Sequence, residues 1–276
     1  DTNRRGIVPT IIVDYYAERA EIKKKMLEAK QQIETADKSD KTNIYRLERD
    51  IARYENQQMA IKIMMNSLYG ALGNKYFKYF DLRMAEAVTL TGQTCIRWAE
   101  RTVNAKLNAV LGTDEDYVIA IDTDSLYVNF GPLVNKIPQT SKQDIVNALD
   151  SFCKDKIEPV IEKSYDELHR TLGSYDNRMV MAREAIADIG IWTAKKRYIL
   201  NVHDNEGVRY AEPKLKIMGI EAIKSSTPAE VRKALKEIFK VIVSGSETKT
   251  QEAIAQFKNY FMALPPEEVS FPRSVS

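Results

Sequence analysis

Two carboxylates one residue apart, Asp122 and Asp124, lie between short apolar runs in Tyr117-Val-Ile-Ala-Ile-Asp-Thr-Asp-Ser-Leu-Tyr-Val-Asn-Phe130. Residues two apart in an extended strand point to one face, so both carboxylates can converge on one cation. Magnesium suits such a pair, because it takes hard oxygen ligands, often one or two carboxylates with substrate phosphates. An ordinary surface turn fits the same residues, since Asp is a common turn former. A second group is cationic. Arg19 and Lys23 are four apart, and Lys62, Asn66 and Tyr69 fall at i, i+4 and i+7, one helix face in each case. Across a helical pair these would line a groove for a polyphosphate, with Arg as a donor fork, Lys as a compact charge and Asn as a directional amide. Two solvated charged faces are the plainer alternative, although Lys62 breaks into the apolar Ile61-Lys-Ile-Met-Met. A third group, Lys195-Lys196-Arg197-Tyr198, puts successive cations beside an aromatic ring. That suits a nucleic-acid backbone, and equally a charged edge strand.

The elements that must position these residues follow from periodicity and punctuation. Residues 14–35 are charged and free of Gly and Pro, which predicts a helix. After a polar break a second helix is predicted over 43–68, making an antiparallel hairpin that Gly70 and Gly73 interrupt. A third is predicted over 83–111, with Met84, Val88, Thr91, Cys95 and Trp98 as its core stripe and Gly112 as its end. Residues 117–130 read as two strands meeting at the acidic turn. A helix bent near Pro159 is expected over 143–172. Strand-like sequence covers 178–203, a turn falls at Asp204–Gly207, and a further strand follows. Thr227 and Glu230 form a capping-box pattern with Pro228 between them, ahead of the apolar positions Val231, Leu235, Ile238 and Ile242. A last helix carries Ile254, Phe257, Phe261 and Leu264.

Composition narrows the class. The 276 residues are about two domains' worth of chain, and 41 basic against 39 acidic residues give a net charge of +2. With 44% hydrophobic and 29% charged residues, the chain is neither disordered nor, lacking any run of about 18 apolar residues, a membrane spanner. Two cysteines point to a reducing, cytosolic setting, and two histidines leave carboxylates as the natural metal ligands. No secretory signal opens the chain. Both ends read as cut, so a longer polypeptide is expected.

Three motifs in order carry a resemblance. Lys62-Ile-Met-Met-Asn-Ser-Leu-Tyr-Gly70 resembles the fingers motif of family B DNA polymerases, Asp122-Thr-Asp-Ser125 their palm motif, and Lys195-Lys-Arg-Tyr198 the motif that holds the primer duplex. Ala71-Leu-Gly-Asn, Lys216-Ile-Met-Gly and Ser225-Ser-Thr-Pro are similar to the T-even bacteriophage branch. The likeness covers nearly the whole chain and weakens over the last 40 or so residues.

The resemblance implies an α+β fold: a palm entry segment (1–13), a helical fingers hairpin (14–70), a partial palm with an antiparallel sheet (71–224) and a truncated helical thumb (225–276). It implies that Arg19, Lys23, Lys62 and Asn66 hold the triphosphate of an incoming dNTP, with Lys62 also offsetting charge on the leaving phosphates. Tyr69 and Gly70 pack near the nascent base pair, and Lys195, Lys196, Arg197 and Tyr198 bind primer-template DNA. Asp122 and Asp124 are the palm metal ligands, with Glu184 as a further acidic residue near the centre. Where the branch has an Asp, this chain has Ala182.

The family's other palm motif, an Asp opening a segment like Asp-x-x-Ser-Leu-Tyr-Pro-Ser, is absent from the sequence. Phosphoryl transfer with two Mg2+ ions needs ligands that clamp ions about 3.5–4 Å apart, normally from more than one strand. The isolated chain is therefore expected to be inactive without an upstream half that carries the missing palm Asp and the exonuclease domain. A sliding clamp is a further implied partner, and the cytoplasm of an infected bacterium the implied setting. Two rivals remain. A nucleotide-sugar glycosyltransferase would explain Asp122 and Asp124 alone. A non-catalytic DNA-binding relic fits Ala182 but not Asp122, Asp124, Lys62 and Asn66.

Overall fold

In the computed structural model, which describes residues 5–138 and 141–271, the charged amino-terminal stretch forms two long antiparallel helices. α1 spans Ile7–Thr35 and α2 spans Lys41–Leu72. α1 starts seven residues before its expected start at Asp14. Pro9 falls in its first turn, where a missing N–H is no loss because those amides have no intrahelical partner. Asp40 caps α2 by accepting the Asn43 amide at 3.0 Å. Gly70 does not interrupt α2, which continues to Leu72. A single helical glycine costs only about 1 kcal/mol. Met26, Ala29, Leu47, Gln58 and Ile61 are buried within the pair.

The chain divides into two units, residues 1–184 with 205–209, and residues 185–204 with 210–276. In the first unit the hairpin leads into α3 (Leu82–Leu111), which Asp81 caps and Gly112 ends in the left-handed region at φ 71°. The expected core stripe of α3 is half right. Cys95 is buried and Trp98 half-buried, but Met84 and Val88 are each 54% exposed. The buried stripe is instead Cys95, Ala99, Val103 and Leu107, which packs with Tyr117, Val118, Ile157, Ile161, Tyr165 and Leu168. Trp98 Nε1 donates to the Ser164 carbonyl at 2.9 Å, tying α3 to the helix that carries Ser164. Burial pushes the Tyr165 hydroxyl up to about 12, so Tyr165 stays neutral in this core.

Strands β1 (Val118–Asp122) and β2 (Ser125–Val128) form an antiparallel hairpin on that core. A single turn, α4 (Gly131–Val134), and helix α5 (Lys142–Phe152) follow. The expected bent helix is α5, a π-helical turn at Cys153–Ile157, and α6 (Glu158–Leu172). The bend precedes Pro159, whose ring cannot sit over an unbroken preceding turn. Residues 178–184, expected as strand, run irregularly.

The second unit holds a three-stranded sheet in the order β3 (Ala185–Ala194), β4 (Arg197–Asn205), β5 (Val208–Met218). The central position of β4 explains its burial at Tyr198, Ile199, Leu200, Asn201 and Val202. Glu206 and Gly207 form the β4–β5 turn with φ of 53° and 87°, the backbone of a tight hairpin loop. Helices α7 (Ala229–Ser244), α8 (Glu247–Met262) and α9 (Pro266–Val269) complete the unit. Val243 of α7 packs with Ile199 and Ile220. The expected capping box does not form: Pro228 is extended (φ −51°, ψ 144°), takes the cap position itself, and leaves Thr227 buried. Mixed helices and small antiparallel sheets make the fold α+β, as expected. Residues 1–4 of the expected entry segment and 272–276 of the expected thumb lie outside the described residues. No helix among the described residues is long and apolar enough to cross a membrane.

The two ends of α3 give a direct stability contrast. Leu107→Ala, at a 1% exposed position, is expected to lower unfolding free energy by about 3 kcal/mol through lost transfer energy and a cavity. Val88→Ala, at a 54% exposed position, should change it by less than about 0.5 kcal/mol. Urea unfolding of the two variants is the measurement.

Candidate active site

β1 and β2 pair with Asp122 opposite Ser125, Ile121 opposite Leu126 and Ala120 opposite Tyr127, with a bulge between Val118 and Ala120. Asn104 of α3 anchors the base of the hairpin, its Oδ1 accepting the Tyr117 and Val118 amides at 2.9 and 3.1 Å. Ile121, Leu126 and Val128 pack against the core. At the tip Thr123 is left-handed (φ 57°), and the Asp124 amide donates to the Asp122 carbonyl at 2.7 Å. This changes what sets the position of Asp124. Asp124 lies in the turn and not in a strand, so strand alternation does not put it beside Asp122. The two-residue loop sets its place instead. Asp122 Oδ1 accepts the Thr123 hydroxyl at 3.1 Å, and the Ser125 hydroxyl donates to the Asp122 carbonyl at 3.1 Å. Asp122 is half-buried and Asp124 exposed. Two carboxylates with open space around Asp124 fit one magnesium ion whose other ligands are water and phosphate. Among the described residues no group of three or more His, Cys, Asp or Glu gathers for a metal.

The cations of the helical hairpin divide between two environments. Arg19 Nε donates to Gln58 Oε1 across the hairpin at 3.1 Å. Lys62 follows Gln58 by one turn of α2, and Asn66 follows Lys62 by another. Lys62 interrupts no core: Ile61 is buried, whereas Lys62, Asn66, Tyr69 and Gly70 are exposed. Lys23 is paired with the Glu206 carboxylate of the β4–β5 turn, which belongs to the same unit. Gln31, two turns further along α1, accepts the Arg209 amide of that turn at 2.8 Å. Spacing gave no signal for Glu206, because 183 residues separate it from Lys23.

A carboxylate that sequence patterns did not single out, Asp150, ties this region together. Its Oδ1 accepts Arg183 Nε and Nη2 at 3.1 and 2.5 Å, and its Oδ2 accepts Arg209 Nη2 at 3.1 Å. Glu158 Oε1 accepts the Arg183 amide at 2.9 Å, so Arg183 is held at both backbone and side chain. The next residue, Glu184, is exposed, and its carbonyl accepts the Glu206 amide at 2.5 Å. The Arg183 clamp thus fixes the backbone from which the Glu184 and Glu206 carboxylates project. Burial alone would raise the Asp150 carboxyl, but Arg183, by hydrogen bond and charge, together with Lys154 holds it below the usual carboxylate value.

In the second unit Lys195 and Lys196 form the β3–β4 turn, with Lys196 left-handed at φ 62°. Gly219 lies so close that a Cβ there would come within 2.2 Å of the Lys196 carbonyl oxygen. Only glycine fits beneath this turn. Arg197 is tied to Glu221 at 2.5 Å. Tyr198 is 5% exposed, with its ring centroid 6.2 Å from that of Trp192. It supports the turn from inside, and the exposed cations of this motif are the two turn lysines together with the partly exposed Arg197 in its pair with Glu221.

The sequence profile of DNA polymerase family B matches residues 1–270. The DNA-directed DNA polymerase of Escherichia phage RB69 is 44% identical over 216 residues, 74% of this chain and 24% of that protein. That of Enterobacteria phage T4 is 43% identical over 219 residues, 75% of this chain and 24% of that protein. The DNA polymerase alpha catalytic subunit of Dictyostelium discoideum is 30% identical over 112 residues, 41% of this chain and 6% of that protein. The chain spans about a quarter of the length of the two phage relatives.

Asp150 sets a measurable pH dependence. Because its folded pKa is lowered, its stabilisation is complete above the unfolded carboxylate value of about 3.9 and is lost as pH falls through the lower folded value. Asp150→Ala strands the Arg183 charge, 9% exposed, and should destabilise the chain by about 3 kcal/mol at pH 7. Urea unfolding from pH 7 to 3 should show that difference shrinking towards the acid end.

Proposed function

The chain belongs to DNA polymerase family B, and on that premise we propose that it is the part of a template-directed DNA polymerase that holds the incoming dNTP and supplies the Asp122 and Asp124 carboxylates. One observation carries this reading: the acidic tip and the cationic helical hairpin belong to a single unit, residues 1–184 with 205–209. In domain terms, 14–70 is the fingers, 71–224 an incomplete palm, and 225 onwards the start of the thumb.

In the reaction the primer 3′-hydroxyl attacks the α-phosphate of the dNTP, the α–β bridging bond breaks, and pyrophosphate leaves. Magnesium, when bound by Asp122 and Asp124, supplies Lewis-acid neutralisation of phosphate charge. Protein groups do the positioning, and little covalent chemistry falls to the protein. Arg19, Lys62 and Asn66 hold the triphosphate with a fork, a point charge and an amide. Lys62 offsets charge as the β- and γ-phosphates depart. Lys23 joins them by exchanging Glu206 for phosphate, and Glu184 adds negative charge near the centre. Tyr69 and Gly70 border the nascent base pair. Lys195 and Lys196 hold duplex phosphates, which carry no sequence information, so base pairing with the template does the reading.

Two carboxylates on one hairpin account for one ion. A second ion needs a carboxylate from another strand, and the reading assigns that strand to an upstream polymerase segment that also brings the exonuclease domain. A sliding clamp and the cytoplasm of an infected bacterium complete the proposed setting.

Binding measurements on this chain test the division of labour. Lys62→Ala should weaken magnesium-dependent dNTP binding at least about tenfold, the worth of one charge-assisted hydrogen bond, and leave primer-template affinity unchanged. Lys196→Ala should leave dNTP binding unchanged, weaken duplex binding, and lower the slope of log affinity against log salt by about 1. Identical behaviour of the two variants refutes the split. An absence of dNTP binding refutes the polymerase reading.

A further inference from the structure

The three cations of the helical hairpin stand in different states. Lys62 is exposed, and among the described residues it has no anionic partner. Arg19 donates to a neutral acceptor, the side-chain amide of Gln58. Lys23, by contrast, is already paired with the Glu206 carboxylate, and only 30% and 25% of the two side chains are exposed. Glu206 also stands where a turn would not choose it. It takes the first central position of the β4–β5 loop at φ 53°, and Gly207 follows at φ 87°. Two successive positive φ values mark a tight hairpin turn whose first central position favours Asn, Asp or Gly. A glutamate there carries backbone strain, and its side chain reaches Lys23.

The backbone beneath that carboxylate is fixed on both sides. The Glu206 amide donates to the Glu184 carbonyl at 2.5 Å. The Arg209 amide donates to Gln31 Oε1 of α1 at 2.8 Å, and the Arg209 side chain to Asp150 at 3.1 Å. These contacts tie the turn to α1 and to α5 without using Lys23. A phosphate that takes Lys23 can therefore turn the Glu206 side chain aside, but the turn itself stays in place. The carboxylate remains within reach of Lys23 and re-forms the pair when the phosphate leaves.

We propose that Glu206 is an internal competitor for phosphate, which holds Lys23 between ligands and weakens the grip of the site on pyrophosphate. The inference deepens the polymerase reading above and rests on it. A Lys23 with no counter-ion would add its full attraction to the product as well as to the substrate. Attraction that is equal for both speeds no chemical step, and it delays the departure of the product. With Glu206 competing, a phosphate ligand gains only the difference between two anions at Lys23. Affinity lost in this way shows chiefly as faster dissociation. Glu206 touches no substrate in this scheme and acts through Lys23, as a positioning residue.

The probe is inorganic pyrophosphate with magnesium, titrated calorimetrically into the full chain. Glu206→Gln keeps the shape of the side chain and removes its charge. It should bind pyrophosphate about fivefold tighter than wild type, the worth of a partly exposed ion pair. That gain should vanish without its partner, so Lys23→Ala and K23A/E206Q should bind alike. Glu21→Gln, which removes a charge from an exposed position of α1, should stay within about twofold of wild type. A gain that survives in the Lys23→Ala background, or that Glu21→Gln matches, assigns the effect to overall charge and overturns the proposal. Equal binding by Glu206→Gln and wild type overturns it, as does failure of wild type to bind pyrophosphate. Should urea unfolding show Glu206→Gln to be poorly folded, Glu206→Asp replaces it. Asp suits the left-handed position, and its shorter reach should also tighten pyrophosphate binding, whereas no gain overturns the proposal. Measuring dNTP binding in the same samples separates the two readings. A gain that depends on Lys23, without dNTP binding, supports the competitor and refutes the polymerase assignment. Binding of dNTP without that gain does the reverse.

Discussion

Two carboxylates one residue apart can serve a shared cation only if a support fixes both without burying them, because each resists losing water. Here that support is the anchoring of a short hairpin. Asn104 of α3 grips the Tyr117 and Val118 amides, and Val118 with Ile121, Leu126 and Val128 packs on Val103, Leu107 and Tyr165. The loop then has only two residues, and Thr123 must turn left-handed to close it. The position of Asp124 follows from that closure. Loosening α3 would therefore blur the acidic tip before it altered any residue within it.

The cationic side depends on a different support. Arg19 is aimed by Gln58, Lys23 by Glu206, and the turn that carries Glu206 is held by Gln31 and by the Asp150 clamp on Arg183 and Arg209. These are polar contacts between elements far apart in sequence. Lys23 thus has an anionic partner before any phosphate arrives, and under the polymerase reading a nucleotide enters by exchange for Glu206. Such an exchange spares Lys23 the desolvation of an unpaired charge.

Much of this was legible in the sequence. The charged runs became α1 and α2, the apolar pairs around Asp122 became a hairpin, and Gly112 and Gly207 ended their elements in left-handed backbone as glycine does. Other features were not legible. Helix continuity through Gly70 turns on a cost of only about 1 kcal/mol that the rest of α2 absorbs, and the cap at Pro228 on a single ψ angle. The links from Lys23 to Glu206 and from Asp150 to Arg209 have no local signature, since no spacing rule connects residues brought together only by tertiary structure. The α3 stripe is the informative case. Periodicity marked Met84 to Trp98 as a core face, but only its later part meets a core among the described residues. Periodicity reports what a helix face is suited to bury, not what lies against it.

The central claim is that this chain carries most of a polymerase centre that another segment completes. Magnesium-dependent primer extension tests it most directly, run with the chain alone, with the amino-terminal stretch of the phage relative alone, and with both. The account predicts extension only in the mixture. Strong extension by the chain alone, or none in the mixture while both polypeptides bind each other and the primer-template, would contradict it.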